Sequence, residues 1–76
     1  MGLFGKKESK EVKAEKLLQE GNEHYGYERY DRAMSCYEQA AKLGDADAMY
    51  NIAFMYYNGE GSVPDKKKAV HWFVHQ

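Results

Sequence analysis

With 76 residues, the chain is long enough for one small domain with a modest core. Charged residues make up 30% and hydrophobic residues 43%, the balance of a globular domain in water. A formal net charge of −1 excludes an overall electrostatic bias toward nucleic acid or acidic membranes. One proline and seven glycines exclude collagen-like or proline-rich character, and the single cysteine, Cys36, excludes an intramolecular disulfide.

Residues 1–10 read as a flexible, solvated terminus. They lack the long apolar stretch of a signal peptide. Gly2 sits where a myristoylation start would have it, but Lys6 occupies the place of the required Ser or Thr. Leu3 and Phe4, followed by Lys6, Lys7 and Lys10, provide little anchoring to a membrane surface. No apolar run in the chain approaches the length of a membrane span. A cytoplasmic location follows by default.

The first periodic segment runs from about Glu11 to Tyr25, with Ala14, Leu17, Leu18, Gly21 and Tyr25 at helical spacing. Gly26 breaks it. Asp31 suits the start of a second helix, whose face carries Ala33, Tyr37, Ala40 and Ala41 and which stops at Gly44. Cys36 falls inside this pattern and reads as a small packed hydrophobe. Asp45 or Asp47 can cap a third helix. Its apolar residues, Ala48, Met49, Ile52, Ala53, Met55 and Tyr56, lie on more than one side, so it is sandwiched between neighbours. It ends at Asn58-Gly59. The Gly59-Glu60-Gly61-Ser62-Val63 loop turns the chain, and Pro64 suits the first turn of a fourth helix. Asp65 adds negative charge near that N-terminus, and Ala69, Trp72 and Phe73 form the buried face.

The four helices fall into two similar pairs. Gly21 and Ala53 are 32 residues apart, and Ala33 and Ala69 are 36 apart. Small residues at these four positions let antiparallel helices approach closely while aromatics fill the space beside them. A two-helix period of this length marks an α-solenoid.

These residues also carry a family resemblance. Ala14-x-x-Leu17-x-x-x-Gly21-Asn22-x-x-Tyr25, followed by Tyr30-x-x-Ala33-x-x-x-Tyr37-x-x-Ala40, resembles a tetratricopeptide repeat. The second half is similar to the related Sel-one-like repeat. Its matching residues are Ala41-x-x-Gly44, Ala48, Tyr50-Asn51-Ile52-Ala53-x-Met55-Tyr56, Gly59-Glu60-Gly61, Val63, Asp65, Lys68-Ala69 and Trp72-Phe73. A connection between its helices that is longer by four residues, and carries Gly-x-Gly, separates it from the plain tetratricopeptide repeat. The resemblance implies an all-α fold, a short right-handed α-solenoid of four helices. Residues 11–44 form the tetratricopeptide-like unit and residues 45–76 a Sel-one-like unit that is incomplete at its end. Families of this kind are adaptors and scaffolds with many bacterial members, so the implied function is non-enzymatic binding of a protein or peptide.

In such a solenoid the first helix of each pair lines the inner surface. The expected groove is Leu18, Asn22 and Tyr25 from the first pair, with Asp47, Tyr50, Phe54 and Tyr57 from the second. Tyrosines provide wide contact area and keep a hydrogen-bonding tip, which suits peptide recognition. Asn22 and Asn51 also match asparagines of the carboxylate clamp in some chaperone-binding tetratricopeptide domains. The lysine of that clamp falls on Leu18 and a third repeat is missing, so the resemblance implies no carboxylate clamping.

Other chemistry reads as structure. His71 and His75 are four apart, the spacing of two metal ligands, but no cysteine or carboxylate cluster accompanies them. Lys66-Lys67-Lys68 lacks interleaved aromatics and reads as a solvated face. Gly59-x-Gly61 lacks the third glycine and the preceding strand of a dinucleotide site. No nucleophile–base constellation is present, and the β-lactam-linked relatives of the Sel-one-like repeat depend on paired cysteines. The expectation is therefore no enzyme, no cofactor, no metal, no nucleic acid and no membrane partner. The alternative to peptide binding is structural: a self-associating repeat, or a fragment of a longer solenoid with no ligand of its own. Val70 and Val74 form a second apolar stripe with His71 at its rim, the sequence stops within the fourth helix, and a homodimer through that helix would cover the stripe.

Overall fold

The computed structural model describes residues 8–75. They form four helices, α1 (Lys10–Gly26), α2 (Tyr30–Lys42), α3 (Ala46–Asn58) and α4 (Lys66–Val74), with no strand among the described residues. The expectations for Gly2, Leu3, Phe4, Lys6 and Lys7 lie outside the described residues.

Helix boundaries follow local chemistry. At α1, Ser9 caps the N-terminus: its Oγ accepts from the Val12 amide at 3.1 Å. Gly26 does not break this helix but closes it. The reversal falls on Glu28 instead, a non-glycine at φ 59°. α2 starts at Tyr30, one residue before Asp31, so Asp31 is not its cap. No side chain caps it, and Asp31 contributes negative charge to the first turn. Gly44, at φ 95°, ends α2, with its amide on the Ala41 carbonyl at 2.9 Å. Asp45, rather than Asp47, caps α3 by accepting from the Ala48 amide at 2.9 Å.

The α1–α2 connection is Tyr27–Arg29 and the α3–α4 connection is Gly59–Asp65, longer by four residues. Gly59 is left-handed (φ 73°), and the Asp65 amide bonds the Tyr56 carbonyl at 2.8 Å, folding the longer loop back on α3. Pro64 precedes the cap of α4 instead of occupying its first turn. Asp65 itself is the cap, accepting from the Lys68 amide at 3.0 Å.

Each helix packs on its neighbour in sequence, and α3 lies between α2 and α4. The core is built of small residues with few large ones. Ala33, Ala40, Ala48 and Ala53 have no exposed surface, and Ile52 and Met55 are the largest fully buried side chains. Alanines at the crossings permit close approach, while Tyr37 fills the space opposite Gly21. Cys36 is half-buried, and burial followed by the charge of Glu20 pushes its thiol up, away from reactivity. Ala69 is buried as expected and Trp72 half-buried. Phe73 is not on the buried face: it is 37% exposed and its ring meets Tyr50 edge-on at 5.5 Å.

Candidate functional site

Between α1 and α3 runs a cleft of ≈ 300 Å³ lined by Asn22, Tyr25, Tyr37, Asn51 and Phe54. Its floor is set by Tyr37, a core residue of α2 whose hydroxyl reaches across α1. That hydroxyl donates to Asn22 Oδ1 at 2.7 Å, and Asn51 Nδ2 donates to the same oxygen at 3.5 Å. The shared acceptor leaves the Asn22 amino group and the Asn51 carbonyl without a hydrogen-bond partner among the described residues. A donor and an acceptor thus stand side by side in the cleft, the complement of a peptide backbone. Burial holds the Tyr37 phenol above its ordinary pKa, so it remains a donor.

Tyr25 forms one wall. It is half-buried, packs edge-on against Tyr30 at 5.4 Å, and donates its hydroxyl to the Glu60 carboxylate at 2.5 Å. The hydrogen bond to Glu60, burial, and the Glu60 charge together push its phenol up to about 12. Across the cleft, Phe54 and Tyr50 are about half exposed and their rings are 5.7 Å apart. With Phe73 beside Tyr50 they form a row of three rings along the rim. Tyr57 continues the same face of α3 but stands apart from that row, with the Lys66 ammonium 5.7 Å above its ring. Asp47 lies at the opposite end, in a shallow depression shared with Glu11, Glu15 and Asp45.

Leu18 does not line the cleft. It is 9% exposed and belongs to the core, because it follows Ala14 by one helical turn and shares the face that packs on α2. Sequence reasoning left Tyr37 and Asn51 out of the groove. Tyr37 reads as core from its spacing to Ala33 and Ala40. The signal for its reach was Gly21, whose missing side chain leaves room for the ring. Asn51 was visible through its correspondence with Asn22.

On the far side, Val70 is 60% and Val74 69% exposed. His71 stacks on His75 with centroids 4.2 Å apart. Among the described residues, no group of three or more His, Cys, Asp or Glu is placed to hold a metal ion. No helix is long and apolar enough to cross a membrane.

Comparison with known proteins gives one result. The family model described as "Sel1 repeat" matches residues 14–45 and again residues 46–74. No curated protein and no solved structure matches the chain. The first unit, with its short connection, matches the same model as the second. With two adjacent repeats covering most of its length, the chain belongs to the Sel1 repeat family, whose helical repeats are non-enzymatic and generally mediate protein–protein interaction.

Proposed function

We propose that this chain is a non-enzymatic binding module that seats an extended segment of a partner protein in the cleft between α1 and α3. One observation carries the reading: an unpaired amide donor and acceptor, on Asn22 and Asn51, stand between exposed rings on α3 and the wall formed by Tyr25. The amides address the backbone of a bound segment, and Tyr50, Phe54 and Tyr57 address its side chains. The aromatic rim is half exposed before binding, so its burial adds affinity without dismantling the core.

Selecting a random peptide library on the immobilised chain tests the proposal. Selected peptides should shift the side-chain amide NMR signals of Asn22 and Asn51, and Phe54→Ala should weaken them at least tenfold with little change in melting temperature. Peptides that shift only α4 signals would sink the groove reading.

The exposed stripe of Val70 and Val74, flanked by the His71–His75 stack, supports a second reading: contact between copies of the chain through α4. Sedimentation decides it. A dimer that Val70→Lys plus Val74→Lys converts to monomer supports self-association, and a monomer throughout rejects it.

A further inference from the structure

The Gly59–Asp65 connection folds back from α3 and closes on the start of α2. The approach is tight: a Cβ added at Gly61 would lie 3.0 Å from Tyr30 Cβ. These two residues border a cavity of ≈ 270 Å³, lined also by Asp31 and Met34 of α2, Tyr56 of α3, and Glu60 and Ser62 of the connection. Tyr25 lines the cleft, Glu60 lines this cavity, and the hydrogen bond between them joins the two walls.

Glu60 is short of donors. Its Oε2 accepts from Tyr25, while its Oε1 is buried with no hydrogen-bond partner among the described residues. A carboxylate oxygen enclosed without a donor is costly. Asp31 adds a second carboxylate to the same walls, and neither carboxylate forms an ion pair among the described residues. Lys68 is held over the Tyr56 ring at 5.2 Å and Arg29 over the Tyr27 ring at 4.8 Å, and neither lines the cavity. The N-terminus of α2 offsets roughly half a charge of the two. Tyr30, Met34 and Tyr56 supply the rest of the wall with apolar and aromatic surface.

We propose that this cavity takes a lysine side chain of a partner protein, at a site separate from the cleft and independent of the reading above. The ammonium lies toward Glu60 and Asp31, and its four-carbon stem packs on Tyr30, Met34 and Tyr56. Oε1 itself is enclosed, so the cation acts on Glu60 through the field across the cavity, which solvent screens little over a short, partly buried path. Two uncompensated carboxylates disfavour an anion, and a neutral apolar group would leave the Glu60 charge unanswered. A metal ion is disfavoured too: among the described residues, no group of three or more His, Cys, Asp or Glu is placed to hold one.

The probes are N-acetyl-lysine amide and N-acetyl-norleucine amide, which share the stem and differ in the ammonium. Each is titrated into the whole chain while the amide NMR signals are followed. The lysine probe should shift the Tyr30, Asp31, Met34 and Glu60 signals saturably in the millimolar range, and the norleucine probe should bind at least tenfold more weakly. Glu60→Gln removes the charge but keeps an acceptor for the Tyr25 hydroxyl, and Asp31→Asn changes an exposed position. Each should weaken the lysine probe at least fivefold. If Glu60→Gln also lowers the melting temperature, Asp31→Asn alone decides. Glu23→Gln plus Glu38→Gln, both exposed and outside the cavity, should leave binding unchanged. Equal binding of the two probes would overturn the proposal. So would shifts that spread over the acidic surface and fade as much in the Glu23 and Glu38 variant, the mark of diffuse attraction. Absence of any saturable shift with the lysine probe would overturn it as well.

Discussion

Gly21 and Tyr37 set the limit on what the cleft floor tolerates. A methyl group added at Gly21 would lie 2.6 Å from Tyr37 Cε1, inside contact distance. Gly21→Ala should therefore displace the ring, break its bond to Asn22 and cost about 1–3 kcal/mol in urea unfolding. Gly26→Ala is the matched control. Open space surrounds that position, and alanine there should stabilise by about 0.5–1 kcal/mol. Tyr25 yields a pH prediction. Its phenol is raised in the folded state, above the ordinary value of 10.0 to about 12. The folded chain thus holds that proton more tightly than the unfolded chain. The associated stability is fully present below pH 10 and is lost as pH rises toward 12. Burial also raises Tyr30 and Tyr37, so tyrosinate absorbance should show a delayed high-pH component shared by several rings, and Tyr25→Phe should shrink its amplitude by one tyrosine without removing it.

At the scale of helices, side-chain caps from Ser9, Asp45 and Asp65 set the starts of α1, α3 and α4, and only the one at α3 was read as a cap from the sequence, with Asp47 as its alternative. Asp45 and Gly44 mark the α2–α3 junction by residue type alone. Asp45→Ala should lower stability by about 1 kcal/mol, measured by thermal melting, while Asp31→Ala should cost less because Asp31 bonds no helix amide as a cap. Pro64 was harder to place. Proline favours a first helical turn, but Asp65 directly after it can cap, and an available cap moves the start of α4 beyond both residues. The groove was half legible for a geometric reason. Each residue along a helix rotates the side chain by about 100°. An error of one position in register is therefore enough to carry Leu18 from the core to the cleft on paper. Asn22 and Phe54 survive that error, while Tyr37 could not be found from periodicity because it belongs to the core and the cleft together. Phe73 was misread for a related reason: spacing places it beside Ala69, but the short α4 leaves its ring at the rim against Tyr50.

Across the whole molecule, contacts pass from each helix to the next, the arrangement that lets repeat proteins fray from one end. The Tyr25–Glu60 bond does not follow that order. It joins α1, in the first repeat, to the long connection of the second, across 35 residues of sequence. Native-state hydrogen exchange should register this as shared fate. With the bond intact, α1 and α3 amides should exchange at similar rates through a common opening, instead of α1 opening first. Glu60→Ala should uncouple them, giving α1 protection several times lower while α3, held on both sides by α2 and α4, changes little. Loss of protection confined to the Gly59–Asp65 loop would show the bond to be local. If α1 does uncouple, the residue that tethers it also sets the position of one cleft wall. A segment that wedges Tyr25 away from Glu60 would then loosen the first repeat as it docks, and occupancy of the groove would be felt as a change in how long α1 stays folded.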